Sequence, residues 1–163
     1  MTLPPRDRPP IGEDGLIDPR WYIFLTRGKF SFSVSKTNSQ TGVVAITETK
    51  VTFGTVNWNI GGFYDGTSKW TPPPGLIRLS ALVAFADANM EDLGTQYLVF
   101  YKNGASFRYG SLQRTGAAQG DYLNGTILDN AGGADYYEVY AYTTTSAGTA
   151  TINNTSYFEG HQL

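Results

Sequence analysis

Few residues in this chain of 163 can run acid–base or nucleophilic chemistry, because it holds one histidine and no cysteine. His161 is therefore the sole imidazole that could serve as base in a Ser/His/Asp arrangement, and it is read as a structural residue of the last strand. Without cysteine there is neither a thiolate nucleophile nor a disulfide. The G-x-S-x-G and H-E-x-x-H patterns and the phosphate-cradling glycine loop are all missing. A carboxylate pair would suffice to hydrolyse a polysaccharide, but nothing in the sequence brings two acids together. The loop carrying Asp87, Asn89, Glu91 and Asp92 spaces oxygen ligands as a calcium site would, yet it lacks the turn glycine and the terminal bidentate Glu of an EF-hand. A solvated acidic loop is the plainer reading. Tyr64, Trp70 and Tyr109, near strand ends, offer flat faces of the kind that stack on sugar rings; Trp70 equally suits the core or a subunit contact. Asn124-Gly125-Thr126 and Asn154-Thr155-Ser156 match glycosylation sequons. The expectation is a protein that binds rather than catalyses, with no cofactor.

Composition narrows the classes further. A net charge of -2 implies no general attraction to nucleic acid. No apolar run reaches the ~18 residues of a membrane span, so no membrane insertion is expected. The N-terminal MTLPPRDRPPIGEDG lacks the apolar run of a secretory signal, and export by that route is not expected. With 40% hydrophobic and 14% aromatic residues, one domain of this size buries roughly 70% of its unfolded surface.

The elements that must position these residues are strands. The stretch Asn59 to Ala84 organises the rest: Gly61-Gly62, Phe63-Tyr64, the turn Asp65-Gly66, then Trp70-Thr71 and the triple proline Pro72 to Pro74. After Gly75, Ile77, Leu79, Ala81, Val83 and Phe85 alternate with Arg78 and Ser80, the period of a half-buried strand. The prolines cannot donate to a ladder and so mark its boundary. Phe30, Phe32 and Val34 alternate likewise, followed by strands at Val43 to Ile46 and around Val51 and Phe53. Asn103-Gly104 is a strong hairpin signal between Tyr97–Tyr101 and Ser106–Tyr109. Leu112 to Gly120 reads as a loop. Strands follow at Tyr122–Leu128, Tyr136–Tyr142, Thr149–Ile152 and Tyr157–Leu163. In the second of these, Tyr137, Val139 and Ala141 face the core, leaving Tyr136, Glu138, Tyr140 and Tyr142 outward. Three bare tyrosines would be an unusual patch on a monomer.

The ordered set Phe53 … Asn59 … Gly62-Phe63-Tyr64 … Ser68-Lys69-Trp70-Thr71-Pro72 … Pro74 to Ser80, then Lys102-Asn103-Gly104, Ala134 to Tyr140 and Ser156 to Leu163, resembles the globular head of complement C-one-q. That head is related to the tumour necrosis factor jelly roll. The resemblance covers residues 28–163 and implies an all-β jelly-roll sandwich of the ten-strand class, a homotrimer and no enzymatic activity. Tyr136, Tyr140 and Tyr142 would then line the trimer interface, where tyrosine is enriched.

Residues 1–27 read as a separate anchoring segment, short, extended and partly helical. Pro4, Pro5, Pro9 and Pro10 hold it extended, with Arg6 and Arg8 between them. Asp18-Pro19 is a helix start, placing Trp21, Phe24 and Leu25 on one face beside Tyr22. The Trp-Tyr and Phe-Leu pairs after a proline-rich lead are similar to the N-terminal segments of bacteriophage tail and head appendage proteins. Together these resemblances imply a virion protein: a trimeric spike, fibre head or decoration, attached by its N-terminus to capsid, portal or tail. Adsorption to host surface polysaccharide through the loops Thr115 to Gly120 and Thr144 to Gly148 is the expected task. The rival readings are a secreted cytokine- or lectin-like binding module and a polysaccharide-degrading tail enzyme.

Overall fold

In the computed structural model, residues 30–86, 94–114, 122–144 and 148–163 are described; the anchor residues, the acidic loop at 87–92 and the loops 115–120 and 145–147 lie outside them. Eleven strands run through the described residues: β1 (Ser31–Ser35), β2 (Gln40–Val44), β3 (Thr49–Lys50), β4 (Thr55–Ile60), β5 (Gly75–Ala84), β6 (Thr95–Lys102), β7 (Ala105–Arg114), β8 (Tyr122–Ala131), β9 (Tyr137–Thr143), β10 (Thr149–Ile152) and β11 (Tyr157–Gln162). One sheet has the order β4-β1-β11-β5-β8, the other β3-β9-β6-β7, and β10 pairs with β2 alone. All pairings are antiparallel, and the described residues contain no helix. The result is an all-β sandwich of jelly-roll order.

The alternation in β5 holds: Ile77, Leu79, Ala81 and Val83 are buried, while Arg78 is exposed. Inward residues of both sheets interleave to form the core, as in packed sandwiches generally. Its centre is aromatic. Phe32 lies 4.8 Å from Trp70, 4.7 Å from Phe158 and 5.5 Å from Tyr64, centroid to centroid. These rings fit because β11 presents Gly160 to the same layer. A Cβ there would lie 2.7 Å from Leu79, 2.8 Å from Phe32 and 3.0 Å from Trp70. At the side of the sandwich Gly110 and Gly125 let β7 and β8 approach closely, with a Cβ on Gly125 meeting the Gly110 Cα at 2.7 Å.

The triple proline precedes β5 as expected, and the β6–β7 turn is a tight hairpin with positive φ at Asn103 and Gly104, which suits the right-handed twist of the strands. Three local expectations change. Tyr64 is packed in the core rather than displayed for sugar, whereas Trp70 takes the core place expected of it. β7 continues through Leu112 to Arg114, where a loop was expected, because its partner β6 supplies a ladder from Lys102 back to Thr95. Val51 and Phe53 are buried but follow the two-residue β3 rather than forming a strand.

Candidate functional site

The two outer faces of the sandwich differ, and the first is built from tyrosine. On β6, Leu98 and Phe100 point into the core, so Tyr97, Val99 and Tyr101 point out. Register places Val99 between Tyr109 of β7 and Tyr140 of β9. The outward tyrosines interlock across strands. Tyr101 stacks on Tyr140 at 3.8 Å and Tyr97 on Tyr142 at 4.5 Å, while Tyr109 meets Tyr97 edge-on at 5.3 Å. Val99, though outward, is completely buried beneath them.

One carboxylate completes this face. Glu48, just before β3, accepts a 3.0 Å hydrogen bond from the Tyr97 hydroxyl and a shorter one from Tyr101. Burial, then the Glu48 carboxylate, push both hydroxyls above the usual tyrosine range, so they remain protonated donors. The arrangement is a flat aromatic surface with an oriented acceptor and Tyr109 largely uncovered. Such a surface can stack on an apolar ring face and accept from adjoining hydroxyls.

Tyr136 stands apart from the stack. It lies under the Lys69 ammonium, 4.9 Å from the ring centre, and its backbone N–H donates to Asn103. Glu138 is nearly buried and pairs with Lys50 at 2.7 Å. Tyr140 and Tyr142, two of the three tyrosines expected at a subunit contact, thus stack on Tyr101 and Tyr97 of their own chain, and Tyr136 lies beneath Lys69; all three remain half-buried.

A charged cluster ties the sheets together at the hairpin end. Lys102 of β6 reaches Asp129 of β8 at 2.8 Å and Asp135 at 2.9 Å, and Asp129 also accepts from the Tyr137 hydroxyl at 2.5 Å. The Asn103 side chain, the Gly132 N–H and Lys102 hold the Asp135 carboxyl down at about 2. Burial opposes ionisation of Asp129, but the hydrogen bonds from Lys102 and Tyr137 outweigh it and keep that carboxyl low as well.

The opposite face, on the five-stranded sheet, is organised differently. Its centre is polar: Ser31, Ser33 and Ser35 on β1, Glu159 and His161 on β11, Arg78 and Ser80 on β5. His161 is thus a half-buried face residue beside Arg78 on one side and Ser31 on the other. At one edge Trp58 and Ile60 of β4 are half exposed; at the other, on β8, Tyr122 and Leu128 are about 60% and 59% exposed. Sequence reasoning passed over Trp58, although Val56-Asn57-Trp58-Asn59-Ile60 alternates apolar with polar residues, and over Leu128, which directly follows the inward Ile127. Among the described residues no group of three His, Asp or Glu could hold a metal ion; the candidates Asp87, Asn89, Glu91 and Asp92 lie outside them.

No family profile and no curated protein matches this sequence. Solved structures do share its fold. The globular domain of zebrafish complement 1qA superposes with a TM-score of 0.59 at 14% identity, covering 83% of this chain and 98% of that one. The Eiger TNF of S. frugiperda gives 0.61 at 11% identity over 84% and 94% of the two chains, and murine APRIL 0.59 at 10% over 82% and 98%. The chain folds as a jelly roll of the complement and tumour necrosis factor type.

Proposed function

We propose that this protein is a non-enzymatic binding module, a trimeric jelly-roll head of a bacteriophage or phage-like particle that adsorbs to host surface polysaccharide. The observation that carries the binding reading is the tyrosine face. Five outward tyrosines surround an oriented carboxylate, a set of groups suited to sugar rings and unsuited to bond cleavage. Weak single-site binding would be strengthened by threefold valency. Saturable adsorption of the purified protein to host cells, competed by soluble host polysaccharide and lost in Tyr109→Ala, is the expected result. Adsorption unaffected by Tyr109→Ala removes the tyrosine face from the reading.

The trimer is supported by the five-stranded sheet. Its two apolar edges, Trp58 with Ile60 and Tyr122 with Leu128, lie on opposite sides of one face. A head-to-tail contact between such patches joins unlike surfaces, and a threefold rotation between neighbours closes it as a ring of three. The contact through Tyr136, Tyr140 and Tyr142 is the competing placement.

The virion setting rests on residues 1–27 alone. A proline-held strand loses little entropy on binding, Arg6 and Arg8 meet acidic groups of a capsid, portal or tail protein, and Trp21 fills a pocket as interface anchors do. Deleting residues 1–27 should leave a folded trimer that no longer enters particles, and Trp21→Ala should weaken incorporation. Equal incorporation of the truncated chain would make the segment a passive tail. The fold shared with tumour necrosis factor and complement domains favours one second reading, a secreted cytokine- or lectin-like module. It would bind through the same face and be found free of particles.

A further inference from the structure

Of the four described lysines, three have carboxylate partners: Lys50 with Glu138, Lys69 with Asp65, and Lys102 with Asp129 and Asp135. Lys36 has none among the described residues, yet it is only 7% exposed. Its ammonium follows β1 into the cleft where the five-stranded sheet and the β2–β3 segment part. Nζ donates to the Thr52 carbonyl at 2.8 Å and to Gln40 Oε1 at 3.3 Å. Both acceptors are neutral, and an ammonium carries three donors. The network holding it is rigid: Gln40 Oε1 also accepts from the Thr52 backbone and hydroxyl, while Gln40 Nε2 donates to the Lys50 carbonyl. Burial pushes the Lys36 ammonium below the usual lysine range.

Lys36 also lines a pocket of about 450 Å³ together with Thr37, Asn38, Ser39, Gln40, Thr52, Phe53 and Gly54. Hydroxyl and amide side chains therefore share this pocket with a lysine that has no carboxylate partner among the described residues. Taking a charge out of water is costly unless it is paired and hydrogen-bonded, and an anionic group in the pocket would supply both the charge and an acceptor.

We propose that the Lys36 pocket is an anion-binding site that takes a single carboxylate or phosphate group of a small molecule or of an acidic polymer. The site is separate from the tyrosine face and stands whether or not that face binds sugar. The carboxylate and phosphate sources differ in shape and charge and are separated by the probes below.

The test uses the full chain labelled with ¹⁵N-lysine, titrated with sodium glucuronate, with inorganic phosphate and with neutral glucose at constant ionic strength. The Lys36 ammonium resonance should shift saturably with one or both anions and not with glucose, while Lys50 and Lys102 stay in place. A response to glucuronate alone assigns the carboxylate source, and one to phosphate alone the phosphate source. Lys36→Met should lose at least tenfold in affinity for the active anion by calorimetry, and Lys36→Arg should keep part of it. If Lys36→Met fails to fold, the titration of the native chain decides alone. Absence of any Lys36 shift, or equal shifts at all lysines, overturns the site.

Discussion

The outward side of the four-stranded sheet and that of the five-stranded sheet are both rich in large side chains, but on the first they interlock and on the second they stand at the edges. On the first, Val99 is sealed under five tyrosines, and two tyrosine hydroxyls converge on Glu48. On the second, serines and charged residues fill the middle while Trp58, Ile60 and Leu128 are exposed at the edges. The difference teaches that the number of outward aromatics does not identify an interface. What matters is whether their apolar area and hydroxyls are already satisfied, since only unsatisfied surface gains by association.

The sharpest way to break this comparison is to charge the open edges. Trp58→Glu combined with Leu128→Glu should convert a trimer to monomers by light scattering, while Tyr140→Ala with Tyr142→Ala should leave its mass unchanged. The reverse outcome would return the subunit contact to the tyrosines, as the sequence alone suggests. A smaller effect is expected from Glu48→Ala, which strips the shared acceptor from Tyr97 and Tyr101. Its cost should be about 1–2 kcal/mol by chemical denaturation, the range for half-buried donors left without a partner, and the oligomeric state should not change. If stability is unaltered, the ladder is only a surface decoration.

Acidification probes the clamp that joins the two sheets. Asp135 and Asp129 titrate below the ordinary carboxylate value of 3.8 in the folded protein. A depressed folded-state value means stability present above that ordinary value and lost as pH falls toward the folded one. The melting temperature should therefore drop between about pH 4 and pH 2, the interval bounded by the ordinary carboxylate value and the Asp135 carboxyl. Asp129→Asn should flatten the drop, and an equally steep fall in that variant would place the acid sensitivity elsewhere. Smallest of all should be Tyr109→Ala, which costs no more than ~0.5 kcal/mol as an exposed position while reducing adsorption to polysaccharide. A large loss of stability there would mean that Tyr109 is part of the roof over Val99 and not its open rim.

Local features were readable from sequence because their causes are local. The alternation of β5, the proline boundary before it and the Asn103-Gly104 turn each depend on neighbours a few residues away. The inward set Tyr137, Val139 and Ala141 was legible for the same reason. The pairing of Glu48 with Tyr97, by contrast, joins positions 49 residues apart. Only the register of β6 against β9 creates the stacked pairs, and sequence reveals no register between distant strands. Lys36 was silent too, because an isolated lysine after a strand carries no sign of being buried. Trp70 was ambiguous until Gly160, ninety residues on, was seen to make room for it.

The place of β11 between β1 and β5 has a consequence for how the protein is made. Ser31 pairs with His161, and Gln162 with Ile77, so the middle of one sheet is filled by the last of the eleven strands of the described residues. Until β11 is in place, β1 and β5 each present an unpaired edge, and the aromatic layer under Gly160 has no lid. Closing contacts of such long sequence separation are slow to form, and exposed edges on incomplete chains invite association with one another. Pairing of β11 is thus the step that commits this sandwich, and a nascent chain paused just before residue 157 exposes both edges to chaperones and proteases.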